Sequence, residues 1–282
     1  MRLRTWAAAT VALLLSAGTA FAQTAAPEWR TIAPENLLVI DTSKGRIIVE
    51  LDPQVAPLHV ERIRTLADQG FYDGLKFHRV IEGFMAQTGD PEGTGAGGSE
   101  LPDVQAELQF RRGRADGFLS VLTQGTVQFG ILNSMSVVTQ PDAQMFATRD
   151  MKAGAQALFC PGVAGMARSG NVNSANSQFF LMTGASPDLD GGYTAFGRVL
   201  VGMDVVRALN SGPESANGRV ETPDLMTRAR TASAMPATQR PTARVMDPRN
   251  PRFAAIVAEA RTTAGATFDI CDLQPPAEVT GG

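Results

Sequence analysis

The 282-residue chain is poor in the residues that carry most enzyme chemistry. It has two histidines, His59 and His78, and two cysteines, Cys160 and Cys271. Without a cluster of Cys and His it offers no zinc site, and no metal is expected. Neither histidine suits a catalytic triad and no nucleophile elbow is present, which argues against a hydrolase. Positive charge is also scarce: the formal net charge is −3 and the pI about 5.5. That leaves no electrostatic footprint for nucleic acid or an anionic membrane. No segment is long and apolar enough to span a bilayer. The most glycine-rich run, residues 88–98, lacks the Gly-Lys-Ser/Thr ending of a phosphate loop, and no clear helix follows it. It reads instead as a conformationally demanding loop that lets a ligand's backbone come close.

What is present begins with an export signature. Arg2 and Arg4 make a basic start, residues 7–17 a short apolar run, and Ala20-Phe21-Ala22 a small-residue cleavage site. Residues 1–22 are therefore expected to be a signal peptide cut after Ala22, giving an exported, periplasmic protein. No cysteine follows the cut to take a lipid anchor, and the lack of twin arginines favours export of an unfolded chain. In that oxidising setting Cys160 and Cys271 either pair as a disulfide or stay as two separate buried thiols. Export ahead of folding favours the bridge, while their spacing alone does not place them within reach.

Residues 23–36 read as a linker. Apolar runs at 37–40 and 46–51 flank Asp41-Thr42-Ser43-Lys44-Gly45 and predict a β-hairpin. Pro53 ends the second strand. Pro57 opens a helix whose Leu58, Val60, Ile63, Leu66 and Ala67 form an apolar stripe up to Gly70, with His59 expected on its surface. Residues 110–159 mix Gly, Asn, Ser, Met and Pro without a sustained period, apart from a strand candidate at 119–122, and read as a long insertion. Strands are predicted at 163–167, 178–183 and 193–200, and a short helix at 202–209. The fold class that follows is mainly β: a closed antiparallel β-barrel capped by two helices. From Ser211 the composition shifts to Pro, Thr, Arg and Ala, read as a C-terminal extension over 211–282. It carries a helix at 249–260 and a strand at 268–271.

The stretch 77–87 reads as strand, turn, strand about Glu82-Gly83. Arg79 sits inside its first apolar run. Half-buried strands rarely carry arginine unless it is paired or used, so Arg79 is either an edge residue reaching for water or a functional one. His78 is expected on the opposite face of a regular strand and is not expected to act. Three blocks bear on the choice: Phe77-His78-Arg79-Val80-Ile81-Glu82-Gly83-Phe84-Met85-Ala86-Gln87-Thr88-Gly89-Asp90, then Ser174-Ala175-Asn176-Ser177-Gln178-Phe179-Phe180, then Leu189-Asp190-Gly191-Gly192-Tyr193-Thr194-Ala195-Phe196-Gly197. Together, and in this order, they resemble the cyclophilin family of peptidyl-prolyl isomerases in its bacterial exported form. The likeness covers residues 37–210, interrupted by the insertion.

The resemblance implies a cofactor-free enzyme that speeds rotation about X-Pro bonds of unfolded or folding polypeptides. A monomer is expected, neither membrane-embedded nor bound to nucleic acid. By motif, the catalytic arginine corresponds to Arg79, and the proline pocket to Phe84, Met85, Phe180, Leu189 and Tyr193. Gln87 and Gln178 correspond to the polar groove, Ala167 and Arg168 to a loop offering backbone contacts, and Gly95 to a point of close approach to the peptide. Taken singly, these are ordinary core and strand residues; their joint order carries the assignment. Tyr193 stands where many members have histidine, and Asp188 where eukaryotic members have the tryptophan that helps bind cyclosporin, so weak cyclosporin binding is expected. The alternative reading is a non-catalytic cyclophilin-fold chaperone or scaffold that holds proline-containing segments.

Overall fold

A computed structural model describes residues 28–281; the expected signal peptide, residues 1–22, and the start of the expected linker lie outside the described residues. The described residues open with β1 (Trp29–Thr31), β2 (Leu37–Thr42), β3 (Gly45–Leu51), α1 (Pro57–Asp68), β4 (Leu75–Lys76), β5 (Arg79–Ile81) and β6 (Met85–Thr88). It continues through β7 (Phe110–Arg112), β8 (Leu119–Gln124), β9 (Val127–Leu132), β10 (Met135–Thr139) and β11 (Ala153–Ala157). Then come β12 (Val163–Met166), β13 (Phe179–Met182), β14 (Ala195–Val201), α2 (Met203–Arg207) and β15 (Leu225–Thr231). The last elements are β16 (Thr242–Met246), α3 (Phe253–Ala264) and β17 (Ala277–Thr280).

The main sheet has the order β4-β15-β2-β3-β14-β12-β13-β6-β5. It is strongly curled into a half-barrel that hydrogen bonds do not close, which corrects the closed barrel expected from the sequence. Its edge strands β4 and β5 are consecutive in the chain, so Phe77 and His78 link them covalently where a ladder is missing.

The expected hairpin forms with Leu37 opposite Glu50 and Thr42 opposite Gly45. Thr42 Oγ1 accepts from the Lys44 N–H at 3.1 Å and donates to the Gly45 carbonyl at 2.7 Å, which fixes the two-residue turn. Leu38, Ile40, Ile47 and Val49 face the barrel core beside Val60, Ile63, Leu66 and Ala67 of α1. Leu37 and Ile48 point the other way, onto Ala243 and Val245. Burial on both faces is why these strands read as continuous apolar runs. Each such side chain contributes about 1.5–3 kcal/mol by leaving water.

Several expectations change. The linker holds β1, which pairs with β16 in a β1-β16-β17 sheet. The barrel does not stop at residue 210, because β15 pairs with β2 and β4. Its outward arginines disguise it: Arg230 pairs with Asp73 at 2.7 Å and Arg228 with Asp41 at 3.5 Å. His59 is not on the surface; it is fully buried, with Nδ1 2.7 Å from a Glu107 oxygen. The Glu107 carboxylate also accepts from the N–H groups of Leu58 and His59 at 3.1 Å, satisfying free donors of the first turn of α1. Burial raises the Glu107 pKa, but these bonds together outweigh it and hold the carboxyl below its usual range.

The insertion is not irregular. It forms a sheet of order β7-β11-β10-β9-β8. Its Ile131, Leu132, Met135 and Val137 share a second core with Met85, Phe180 and Met182 of the barrel and with Phe253, Ile270 and Leu273 of the C-terminal region. Residues 268–271 do not make a strand: Ile270–Asp272 is a 3-10 turn, because the Asp269 side chain accepts from the Cys271 N–H at 2.9 Å and caps it. Cys160 and Cys271 are joined by a disulfide across a sequence separation of 111. Buried Arg198 of β14 donates to Ser134 O in the insertion and to Pro275 O in the tail, both at 2.9 Å. Burial lowers its pKa to about 10, which leaves it charged at neutral pH. Asp52 fastens the same junction, accepting from Asn133 Nδ2 at 2.9 Å, and its burial pushes its carboxyl up to about 6.

Candidate active site

Strand register builds the site as one row. Arg79 on β5 lies opposite Gln87 on β6, Gln87 opposite Phe180 on β13, and Phe180 opposite Gly165 on β12. Residues opposite one another point to the same face. The alternating neighbours Val80, Ala86 and Leu181 point into the barrel core. So Arg79, Gln87 and Phe180 all stand on the outer face, where the second core meets solvent. Gly165 must lack a side chain: a Cβ there would lie 2.5 Å from Phe159 Cε1 and 2.6 Å from Phe180 Cζ. The Phe180 ring therefore lies over that glycine, stacked on Phe159 at 5.8 Å and edge-on to Tyr193 at 6.0 Å.

A pocket of about 160 Å³ opens over this row. Arg79, Phe84, Met85, Gln87, Ala167, Arg168, Phe180, Leu189 and Tyr193 all line it. Gly95 and Gln178 do not; they line an adjoining cavity of about 590 Å³ that shares Gln87, Ala167 and Arg168 with the pocket. Leu189 closes the 3-10 turn Pro187–Leu189, and Asp190 just after it accepts from the Phe159 N–H at 2.8 Å. Asp188, on the same turn, is exposed.

The polar side is a chain of directed bonds. Arg79 Nη1 donates to Gln87 Oε1 at 3.1 Å, and Gln87 Nε2 donates to Gln178 Oε1 at 2.8 Å. Gln178 Nε2 ends the chain on the carbonyls of Gly95 and Gly97, at 3.0 and 2.8 Å. The glycine loop is itself held by Asp90, whose side chain accepts from the N–H groups of Glu92, Thr94 and Gly95 at 2.8, 2.8 and 2.6 Å. Burial pushes the Asp90 carboxyl up, and these N–H groups together more than reverse it. Arg168 does more than offer backbone: its guanidinium lies 4.3 Å over the Tyr193 ring and donates twice to Gly192 O, at 2.9 and 2.7 Å.

Two residues of the site escaped the sequence reading. Asn217 accepts from Arg79 twice, through its carbonyl at 3.0 Å and its Oδ1 at 2.9 Å. It sits in the left-handed region at φ 53°, beyond the boundary expected at residue 210. The Asn217-Gly218 pair was a readable turn signal, but nothing local ties it to Arg79. Phe159 fell at the end of the unread insertion. His78 also departs from expectation: it lies between β4 and β5, outside either strand, and it and Arg79 border the same cavity, of about 510 Å³. Burial holds the His78 imidazole below its ordinary pKa.

Every hydrogen-bond partner found for the Arg79 guanidinium is neutral. Burial lowers its pKa, yet a guanidinium stays charged in proteins. Among the described residues the site thus presents an oriented cation with no carboxylate partner, beside an apolar wall of a size to hold one small ring.

The chain belongs to the cyclophilin family. The model of the family described as "Cyclophilin type peptidyl-prolyl cis-trans isomerase/CLD" matches residues 37–231. That family defines the chain as a peptidyl-prolyl cis-trans isomerase. A "Probable peptidyl-prolyl cis-trans isomerase" of Brucella suis biovar 1 (strain 1330) is 36% identical over 207 residues, covering 70% of this chain and 82% of the relative. A "Peptidyl-prolyl cis-trans isomerase-like 1" of Rhizopus delemar is 32% identical over 183 residues, covering 65% and 85%. In three dimensions the chain resembles cyclophilin AquaCyp293 from Hirschia baltica, with a TM-score of 0.81 and 34% identity over 90% of this chain and 94% of that one.

Proposed function

We propose that Arg79 is the catalytic donor of this isomerase and that its substrates are X-Pro segments of unfolded or folding polypeptides outside the cytoplasm. The observation that carries the assignment is the Arg79 guanidinium, fixed by Gln87 and Asn217 at the mouth of the one pocket that also holds Phe84, Met85, Phe180, Leu189 and Tyr193. A peptide bond resists rotation because the nitrogen lone pair is delocalised, with a barrier of about 18–20 kcal/mol. Uncatalysed X-Pro exchange therefore takes roughly tens to hundreds of seconds. As the bond twists, the proline nitrogen pyramidalises and its lone pair becomes available to a donor. A fixed guanidinium meets it with a hydrogen bond that strengthens in the twisted state and so lowers the barrier. Phe84, Met85, Phe180, Leu189 and Tyr193 hold the ring, while Gln87, Gln178 and the Ala167–Arg168 backbone keep the flanking peptide in place.

Two features favour action after export. Residues 1–22 have the order of a cleavable signal, and a disulfide such as Cys160–Cys271 persists in oxidising compartments. Cell fractionation tests location: a processed chain in the periplasmic fraction is expected, and an unprocessed cytoplasmic chain would contradict it. For mechanism, Arg79→Ala is expected to lose about 10²-fold or more of the acceleration in proline-limited refolding, with an unchanged fold by circular dichroism. Unchanged acceleration would refute the assignment of Arg79.

A further inference from the structure

The cavity of about 510 Å³ beside the proline pocket shares Arg79 and Gln87 with it and is lined on its far side by Ala216, Asn217 and Arg219. Arg219 forms an antiparallel bridge with Arg79, so the two arginines stand directly opposite each other on one face. Like charges in that relation repel. Some arginines of the fold are neutralised by a carboxylate, Arg230 by Asp73 and Arg249 by Asp247, each at 2.7 Å; this pair is not. Among the described residues the exposed Arg219 guanidinium has no hydrogen-bond or ion-pair partner, and the partners of Arg79 are neutral. The only other ionisable residue lining the cavity is His78, so no acid lines it; Asp90, whose charge reaches His78, is held by the N–H groups of Thr94 and Gly95. On a chain of net charge −3, this is a local concentration of positive charge.

We infer that this cavity is a subsite for a carboxylate side chain of the substrate, an Asp or Glu close in sequence to the X-Pro bond, with Arg219 as the specificity-determining residue. The inference rests on the isomerase reading of the adjoining pocket. A carboxylate placed there would accept from the free Arg219 fork and relieve its repulsion with Arg79. It would sit within a residue or two of the proline, because Arg79 and Gln87 border both spaces. Phosphate and nucleotide are the other anions such a site could attract. A polypeptide carboxylate is favoured, because the cavity shares Arg79 and Gln87 with the proline pocket, and Gln87, Gly95 and Ala96 with the polar cavity that Gln178 lines.

The test is a peptide scan. Short peptides containing Ala-Pro, each with a single Glu, Gln or Lys at one flanking position, are assayed for kcat/KM with wild-type protein, Arg219→Gln and Arg219→Glu. At one position the wild type is expected to favour Glu over Gln by about three- to fivefold. That ratio is expected to shrink as salt is raised. Arg219→Gln brings the ratio to about one, and Arg219→Glu turns the preference towards Lys. A Glu/Gln ratio of one or less at every position, or a preference that survives both substitutions, overturns the subsite. Wild-type turnover of the all-neutral peptide reads separately: its absence would refute the isomerase reading, whereas its presence without a charge preference refutes the subsite alone.

Discussion

Arg79, on the polar wall of the pocket, is held by directional bonds to Gln87 and Asn217, whereas Phe180, two strands away on the same row, is held by ring contacts with Phe159 and Tyr193. The first wall belongs to the barrel, including the turn at Asn217 that precedes β15. The second rests on a core that the insertion and the C-terminal region complete, pinned by Cys160–Cys271, Arg198 and Asp52. The difference separates two jobs. Orientation of Arg79, the proposed donor, depends on a few short polar contacts, and the shape of the proposed ring pocket depends on a large, distributed packing. Damage to the polar wall is therefore expected in kcat, and damage to the apolar support in stability and KM.

The comparison can be broken from either side. The largest effect is expected from opening the disulfide: the Cys160→Ser/Cys271→Ser double variant loses about 3 kcal/mol in urea unfolding. Its KM for an X-Pro peptide rises more than its kcat falls. An unchanged unfolding midpoint would mean that the tail does not support the second core. Next is Asp52. Its folded pKa, about 6, lies above the 3.8 of a free carboxyl because of burial, so the folded state holds the proton more tightly. This contribution to stability is complete below about pH 4 and lost as pH rises through about 6. Asp52→Asn is expected to remove that dependence, so that the variant gains on the order of 2 kcal/mol relative to wild type between pH 4 and pH 8. Parallel stability–pH curves for the two proteins would refute the shift. The smallest effect belongs to the polar wall: Asn217→Gly keeps the left-handed backbone but removes the Oδ1 acceptor for Arg79. A drop in kcat of about tenfold, or about 1.4 kcal/mol, is expected with little change in KM. A rise in KM alone would move Asn217 from orienting Arg79 to binding substrate.

Much of the site was legible because its residues lie in unbroken runs: Arg79 and Gln87 share the stretch 77–90, and Gln178 and Phe180 share 174–180. The hairpin and α1 were legible for a similar reason, their apolar spacing being local. What escaped reading was set by partners far along the chain. The insertion strands bury Ile131, Met135 and Val137 against the barrel and the tail, so no period within residues 110–159 announces them. β15 carries arginines outward to Asp41 and Asp73 and so resembles a polar tail. His59 belongs to a surface-looking position on α1 until Glu107, far along the chain, covers it. Asn217 meets Arg79 only through bonds spanning 138 residues.

The most direct test of the polar wall is to keep the charge at position 79 and remove the fork. Arg79→Lys retains a cation but loses the planar fork: its three N–H donors cannot replace two bonds to Asn217, one to Gln87 and one to the proline nitrogen. With a short Ala-Pro peptide, kcat/KM for Arg79→Lys is expected to fall by at least about tenfold, while the unfolding midpoint stays that of the wild type. Activity equal to wild type would contradict the oriented-donor mechanism, since charge alone would then suffice.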